Sequence, residues 1–214
     1  MSKISKRLKS IAELVSVDDR VVDVGCDHGL LSIYLVETKK LKKVIASDVN
    51  RNALSFAIKN IKEADLDIET VLSDGIDDVD LTDINTLIIA GMGASTIKHI
   101  LANTERLKGI EKIICQSNND YELLRTYMNS IGYYLNNELY VFDKGKWYVQ
   151  SSFIKSDKKN SKNVLKYGLL NNEAYNDYLI ESKKKILDKI PKESSMVRET
   201  LENELELLKR AICK

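Results

Sequence analysis

The chain has 214 residues, enough for one substantial core and a small appendage but too few for two full domains. Hydrophobic residues make up 43% of it, which excludes a disordered protein. The formal net charge of only +1 excludes a molecule that is basic over its whole surface, although lysines and arginines cluster locally.

The sequence carries no signal for a membrane or for a metal. Its start is polar and basic without the apolar core of a signal peptide, and no stretch reaches the roughly 20 apolar residues of a membrane span. Cys26, Cys115 and Cys213 are far apart, and no group of Cys and His has metal-ligand spacing. We therefore expect a cytoplasmic protein with three reduced thiols, no metal and no membrane contact.

The first two thirds of the chain alternate between β-type and helical segments. Apolar residues at helical spacing from Ile4 to Val15 predict an opening amphipathic helix. The predicted strands are residues 21–25, 43–48, 68–74, 86–90 and 112–116, and helices are predicted at 30–37, 51–64 and 121–131. Strands that alternate with helices need crossover connections, so we expect a mostly parallel α/β sheet of the doubly wound, Rossmann-like kind.

The last third of the chain follows different patterns. Residues 133–142 and 146–154 are β-rich and flank a polar turn with glycine, which predicts an antiparallel hairpin at one edge of the sheet. Beyond Lys155 the composition becomes rich in Lys, Asn and Ser, so we place a boundary between a domain of residues 1–155 and an appendage of residues 156–214. Heptad-like apolar spacing interrupted at Pro191 predicts a C-terminal helical hairpin of the coiled-coil kind.

Glycines and acidic residues follow the predicted strands, where open α/β sheets bind their ligands. The first strand runs into Gly25-Cys26-Asp27-His28-Gly29, whose glycines allow a tight turn and a close approach to a ligand. The second strand ends at Asp48-Val49, with Asp48 at the offset that lets an acidic side chain reach ribose hydroxyls. The third strand ends at Asp74-Gly75-Ile76, where a carboxylate acceptor stands next to an exposed main-chain N–H donor. This pair of groups suits the hydrogen-bonding edge of an adenine.

Asp27 decides between two classes of nucleoside cofactor. It stands where the middle glycine of a GxGxxG motif belongs, so its carboxylate would repel the pyrophosphate of a dinucleotide. The same carboxylate suits the ammonium and sulfonium groups of S-adenosylmethionine. We therefore predict S-adenosyl-L-methionine as the cofactor, with a nicotinamide or flavin as the alternative. Asp27 also has the chemistry of an N-cap for the following helix.

Three motifs resemble one known family. Residues 22–31, VDVGCDHGLL, resemble the aspartate–glycine–aspartate–histidine signature of the bacterial tRNA (adenine-22-N1)-methyltransferases. The turn Ala90-Gly91-Met92-Gly93 resembles that family's glycine–methionine–glycine turn, and Cys115-Gln116-Ser117-Asn118 resembles its glutamine–proline–asparagine turn. The resemblance covers roughly residues 1–155, and the tail also resembles the family's C-terminal appendage.

The resemblance implies a class I methyltransferase that methylates N1 of an adenine in tRNA, at position 22. Methyltransferases that act on an exocyclic amine commonly hold it with an Asn/Asp-Pro-Pro-aromatic turn after the fourth strand. The turn here, residues 91–94, has no such side chain, and a ring nitrogen with an in-plane lone pair does not require one. Asp27 is the predicted catalytic residue, by stabilising the cationic product ahead of removing a proton. A methyltransferase for a small molecule or a protein is the alternative.

An N1 atom inside a base pair is unreachable, so the target base must be flipped into a pocket. Gly91 is predicted to contact the cofactor, whereas Met92, Gly93 and Asn118 are predicted to contact the base, with Met92 as an apolar wall. We expect Asn119 to cap the following helix, in a capping-box-like pattern with Glu122.

Local positive charge predicts contacts with tRNA phosphates. Lysines recur from Lys155 to Lys166 and again at residues 183–185, which favours a tail that contacts RNA. The competing interpretation is that the helical hairpin serves for dimerisation, and of the two oligomeric states we favour a monomer. Trp147 and Tyr148 of the hairpin would either stack on RNA or pack on their neighbours.

Overall fold

The computed structural model describes residues 4–191 and 195–213, so residues 1–3, 192–194 and 214 of the predicted ranges lie outside it. The chain forms two compact units, one ending at Asn160 and the other beginning at Ser161.

The described part of the first unit alternates strands and helices. Its elements in chain order are α1 (Lys6–Glu13), β1 (Val21–Val24), α2 (Leu30–Lys39), β2 (Val44–Asp48), α3 (Arg51–Glu63), β3 (Glu69–Leu72), β4 (Thr86–Met92), α4 (Ala94–Ile100), a 3-10 helix (Thr104–Leu107), β5 (Lys112–Ser117), α5 (Tyr121–Ser130), β6 (Tyr133–Asp143) and β7 (Lys146–Lys155).

The strands form one sheet in the order β3-β2-β1-β4-β5-β7-β6. Strands β1 to β5 run parallel, whereas β7 pairs antiparallel with both β5 and β6. The chain moves outward from β1 to β3 and then returns to place β4 on the other side of β1, so the strand order reverses between these two neighbours. The predicted Rossmann-like sheet with an antiparallel edge hairpin is confirmed.

The central strands are buried on both faces, which explains their uninterrupted apolar sequences. Every residue of β1 and β2 is buried, as are the first four residues of β4. Helices cover both faces of a parallel sheet, so alternation of apolar and polar residues is not required. The edge strand β3 is shorter than predicted and partly exposed, because it has a neighbour on one side only.

Helix α1 covers one face of the sheet near the hairpin edge. Ser5 caps it by accepting a hydrogen bond from the N–H of Leu8, and Ile11 and Ala12 are buried in the core cluster that includes Ile88 and Ile114. This packing confirms the predicted amphipathic helix and holds its first turn at the carboxyl end of the sheet, where Arg7 contacts β5.

The second unit contains α6 (Lys162–Tyr167), α7 (Glu173–Lys189) and α8 (Ser195–Ile212). Lys183 of α7 pairs with Glu204 of α8, and nearer the turn Arg198 donates to the carbonyl of Leu187, so the two long helices run antiparallel. The predicted helical hairpin, with Pro191 between its helices, is confirmed.

Helices α4 and α6 were not predicted from the sequence. Each has fewer than eight residues, so neither repeats its apolar positions often enough to show a helical period. They begin where a cap is available, α6 at Ser161 and α4 beside the side chain of Asn119.

Candidate active site

A cavity of about 80 Å³ lies at the carboxyl ends of β1 and β4, where the strand order reverses. Arg7, Asp23, Gly25, Asp27 and His28 are among the residues that line it. The cavity therefore combines the predicted glycine-rich turn with two charged residues, Arg7 and Asp23, that were not predicted as site residues.

The turn after β1 is held by hydrogen bonds to β2. The N–H groups of Gly25 and Cys26 both donate to the carbonyl of Ser47, at 2.8 and 2.9 Å. The N–H of Asp27 donates to Oδ2 of Asp48 at 2.9 Å. Gly25 has φ +73°, a left-handed conformation that glycine adopts without strain. The main chain of this turn is thus fixed before any ligand binds.

The side chain of Asp27 is accessible at the mouth of the cavity. It is 75% exposed, and Nε2 of His28 lies 3.6 Å from its Oδ1. The interpretation of Asp27 as an N-cap is wrong, because α2 begins after Gly29 without any side-chain cap. A carboxylate that does not cap the helix can face a cationic ligand instead.

The predicted nucleoside-binding residues follow β2 and β3. The buried carboxylate of Asp48 also accepts the N–H of Asn50 at 2.8 Å, and each oxygen keeps a second lone pair for a ligand hydroxyl. Val49 beside it is 66% exposed, which offers an apolar surface. Asp74 is exposed, whereas the side chain of Ile76 is buried and its carbonyl accepts a hydrogen bond from Arg106.

A β-bulge at Gly91 shapes the wall formed by β4. Ala90 pairs with Gln116 and Met92 pairs with Ser117, so Gly91 is an extra residue in the strand, with φ +81°. A bulge redirects the side chain that follows it. Cε of Met92 consequently lies over Gly25, where it would collide with any added Cβ. Met92 is half-buried and stands beside the cavity rather than deep in the core.

The turn after β5 is tied to the bulge and to α4. The side chain of Asn118 donates to the carbonyl of Gly91 at 2.7 Å. The prediction that Asn119 caps α5 is wrong. That helix starts after Asp120, which has a left-handed conformation, and no side chain caps it. Oδ1 of Asn119 accepts instead from the N–H of Ala94 at 3.1 Å, and an added Cβ on Gly93 would lie 3.3 Å from this oxygen.

Asp23 and Arg7 were missed as site residues for different reasons. Asp23 stands in a buried apolar strand, and a charged residue in that setting is a usable signal of function. Burial raises the pKa of Asp23 to about 6, with a further rise from the nearby Asp48 and opposing effects from a 2.7 Å hydrogen bond donated by Ser32 and from Arg7. No sequence signal connects Arg7 with the strand ends, because its proximity depends on the tertiary packing of α1.

Aromatic and sulfur groups near the site have packing partners. The ring of His28 stacks on that of Phe56 with centroids 5.1 Å apart, and Trp147 meets Phe142 edge-on at 5.5 Å. Burial raises the pKa of the Cys26 thiol above its usual range, so the thiol stays protonated and contributes an apolar wall.

The charges around the cavity fit a zwitterionic nucleoside ligand without phosphate groups. Asp23 and Asp27 suit an ammonium or sulfonium, Asp48 suits ribose hydroxyls, and Arg7 suits a carboxylate. The accessible Asp27 would repel a pyrophosphate in the same place. Among residues 4–191 and 195–213, no cluster of His, Cys, Asp and Glu could hold a metal ion, and no helix is long and apolar enough to cross a bilayer.

Comparison with known proteins assigns the family. Residues 4–150 match the protein family described as "Methyltransferase domain". The chain belongs to this methyltransferase family. It is similar to the tRNA (adenine(22)-N(1))-methyltransferase of Bacillus subtilis, with 30% identity over 149 residues, which is 68% of this chain and 63% of that enzyme. The chain therefore matches less than two thirds of that relative's length.

Two solved structures of similar proteins extend the match over nearly the whole chain. One is a Streptococcus pneumoniae candidate tRNA (m1A22) methyltransferase in complex with S-adenosyl-L-methionine, with a TM-score of 0.87, 28% identity and coverage of 98% of this chain and 100% of that one. The other is M. capricolum TrmK in complex with S-adenosyl-homocysteine, with a TM-score of 0.83, 28% identity and coverage of 99% and 98%. The resemblance predicted from the three motifs is confirmed.

Proposed function

We propose that the protein transfers a methyl group from S-adenosylmethionine to N1 of an adenine in tRNA, at position 22. The observation that carries the proposal is the accessible Asp27 carboxylate at a preformed cavity, next to a β4 turn that holds no amine-gripping side chain. The Bacillus subtilis relative is named for this position of tRNA, and the Streptococcus pneumoniae relative binds S-adenosyl-L-methionine.

The donor site in this proposal follows β1, β2 and β3. The turn of residues 25–29 receives the methionine end, Asp48 accepts from the ribose hydroxyls, and Val49 lies against the adenine. Asp74 and the N–H groups of Gly75 and Ile76 face the adenine edge. Gly91 adopts φ +81°, a conformation that would strain any other residue, whereas an added Cβ there would only touch Nη1 of Arg7 at 3.4 Å.

The chemistry requires alignment more than proton transfer. Bound S-adenosylmethionine supplies an electrophilic methyl group on a positively charged sulfur. Met92 and Gly93 would confine the target base so that the lone pair of N1 faces that methyl group. Asn118, in the neighbouring turn after β5, donates to the carbonyl of Gly91. The methylated ring carries a positive charge, which the carboxylate of Asp27 stabilises.

The tip of the β6–β7 hairpin is a surface suited to RNA in this proposal. The pairing of β7 with β5 stops at Gln150, which lies opposite Gln116. The residues of the tip continue beyond this point, so the hairpin extends past the carboxyl edge of the sheet. Phe142 is 53% exposed, and Lys146 lies over the ring of Tyr148 at 4.6 Å. Aromatic rings beside cations bind unpaired bases and phosphates.

The second unit is proposed as a tRNA-contacting appendage in a cytoplasmic enzyme that acts as a monomer. Several of its lysines are already paired, since Lys166 and Lys183 both contact Glu204. Lys162 and Lys185 are exposed and form no ion pair with the described residues, so they are the better candidates for phosphate contacts.

The proposal is tested with labelled S-adenosylmethionine and a pair of tRNA transcripts, one with adenine 22 and one with guanine there. We expect label in 1-methyladenosine of the first transcript and none in the second. Equal labelling of both would disprove the assigned position. Donor binding without labelling of any tRNA would favour the alternative, a methyltransferase for a small molecule or a protein.

A further inference from the structure

The β6–β7 hairpin reaches beyond its neighbours at the edge of the sheet that carries the donor cavity. Its last pair with β5 is Gln150 with Gln116, and β7 has four further residues between this pair and the turn, beginning at Lys146. At roughly 3.3 Å per residue this extension is about 13 Å long. Tyr148 lies within it, with its ring centroid 5.8 Å from the guanidinium carbon of Arg7, which lines the cavity. The tip therefore stands at the border of the proposed active site.

The tip of the hairpin is a rigid ribbon. The two strands stay paired as far as Asp143 with Lys146, so only Lys144 and Gly145 form the turn. Both have left-handed conformations, with φ +48° and +83°, as in the type I′ turn that fits the twist of a hairpin. Oδ2 of Asp143 also accepts the main-chain N–H of Arg7 at 3.3 Å, which ties the tip to α1. A side chain on this ribbon keeps its position when it meets a macromolecule.

The two faces of the tip differ in chemistry. Side chains alternate between the faces along a strand, so Tyr148 and Lys146 share the face toward α1 and Trp147 lies on the opposite face. Phe142, the cross-strand partner of Trp147, shares that opposite face, and the two rings meet edge-on with centroids 5.5 Å apart. Phe142 is still 53% exposed. An apolar ring thus projects into solvent from a fixed base.

The charges of the tip favour a nucleic acid as the partner of this ring. Lys144 and Lys146 are exposed, and the Lys146 ammonium lies 4.6 Å from the ring centroid of Tyr148. Exposed cations at this spacing suit the phosphates of a nucleic acid strand. Apolar side chains that enter a stack of bases separate them, and an enzyme that acts on a base must take that base out of the stack.

We propose that Phe142 is a wedge, which enters the stack of the tRNA beside the target adenine and fills the space that this base leaves when it turns into the cavity. The inference rests on the proposed function and adds a step that precedes methyl transfer. The ring gives the neighbouring base a new stacking partner, which stabilises the opened RNA. Phe142 touches the neighbour of the target and not the reacting atoms, so it is a positioning residue.

The test compares two tRNAs that differ in whether the target must be opened. One has the native sequence with adenine 22, and the other has an abasic residue in place of the nucleotide that faces adenine 22, so that its target is already unpaired. For both tRNAs, kcat/KM of methyl transfer is measured on the full chain for the wild type, Phe142→Ala, Phe142→Tyr and Ile58→Ala. Ile58 is the matched control, since this apolar residue of α3 is 49% exposed and lies outside the hairpin.

We expect Phe142→Ala to lower kcat/KM on the native tRNA by about 10- to 100-fold, the range for losing one stack of a base on an aromatic ring. On the abasic tRNA the loss should be less than about threefold, because an unpaired base costs less to turn out. Phe142→Tyr, which keeps the ring, and Ile58→Ala should match the wild type on both tRNAs. Calorimetry with S-adenosylmethionine should give the same affinity for all four proteins, which shows that the variants are folded.

Two results would overturn the inference. Equal losses of Phe142→Ala on both tRNAs would mean that the ring holds the RNA or the fold without opening the stack. No loss on either tRNA would mean that the ring does not meet the RNA at all. A wild type that binds S-adenosylmethionine and labels neither tRNA would instead contradict the proposed function itself.

Discussion

Oδ2 of Asp48 accepts a hydrogen bond from the main-chain N–H of Asp27 across 2.9 Å, which joins the end of β2 to the turn after β1. The other oxygen of Asp48 accepts from Asn50 at 2.8 Å, so one carboxylate fixes two turns of the proposed donor site. The geometry of the cavity therefore depends on a side chain that is also expected to contact the ribose.

Replacing Asp48 with Asn tests this double role. An amide has one acceptor oxygen, so its NH2 group would face one of the two main-chain N–H donors. We expect a loss of about 1–3 kcal/mol in the free energy of unfolding and at least about tenfold weaker donor binding. Urea denaturation and calorimetry measure the two effects. Asp80→Asn, on an exposed loop, is the control, and an unchanged affinity in Asp48→Asn would refute the ribose contact.

Replacing Asp27 with Ala separates catalysis from binding. We expect the rate of methyl transfer to fall by about 10²- to 10³-fold, the usual effect of removing one electrostatic contact to the transition state. Donor binding should weaken without being lost, because the carboxylate that suits the donor's cationic groups is removed while the main-chain N–H of residue 27 still reaches Asp48. Single-turnover kinetics at saturating donor give the rate. A variant as fast as the wild type would show that Asp27 is not catalytic.

A double-mutant cycle tests the contact between Gly25 and Met92. Gly25→Ala introduces a side chain at φ +73°, which costs about 1–2 kcal/mol, and adds a collision with Cε of Met92. Met92→Ala removes the collision but not the backbone strain. Cε is the end of a flexible side chain that can move aside, so the relief is small: we expect the double variant to lose somewhat less stability than the two single variants together, as measured by thermal or urea unfolding. Strictly additive effects would contradict the contact.

The buried carboxyl group of Asp23 should make stability depend on pH. Burial raises its pKa from 3.8 to about 6, so the folded protein binds this proton more tightly than the unfolded chain does. The stabilisation is complete below about pH 4 and is lost as the pH rises through 6, a difference of about 3 kcal/mol.

Asp23→Asn should remove this pH dependence, because the amide does not titrate and still accepts the hydrogen bond from Ser32. We expect the variant to exceed the wild type in free energy of unfolding at pH 7 to 8. Urea denaturation between pH 4 and 8, without donor, makes the comparison. The same slope in both proteins would show that another group is responsible.

Two lysines of the second unit test its proposed contact with tRNA. Lys162→Ala and Lys185→Ala should each lower the magnitude of the slope of log affinity against log salt by about 1, the loss of one phosphate contact. Lys183→Ala is the matched control, since Glu204 already neutralises its ammonium at 2.8 Å. Filter binding of tRNA at several salt concentrations measures the slopes. Equal slopes in all four proteins would argue against the contact.

The local sequence was sufficient to predict those strands and helices whose apolar residues form an uninterrupted run or a regular period. The fully buried β1 and β2 were predictable from their apolar runs, and the order of strands and helices indicated the sheet. The glycines at 25 and 29 and the acidic residue at 48 indicated one edge of that sheet as the site, because parallel strands end on the same side.

Features that depend on distant residues could not be predicted in this way. Asn119 has the sequence setting of a cap for α5 but caps α4, which becomes its neighbour only after β4 and β5 pair. The orientation of Met92 follows from a bulge at Gly91, and a bulge is a property of two strands rather than of one. Arg7 acquires its place from α1 packing on a sheet that forms much later in the chain.

The hydrogen bond between Arg7 and Gln116 spans 109 positions of sequence. The acidic residues Asp23 and Asp27 and the basic residue Arg7 are therefore synthesised long before Gln116, the residue that holds the guanidinium group of Arg7. Arg7 therefore has its partner only in a chain that has paired β5 with β4, so the cavity is closed by one of the last parallel strands to join the sheet.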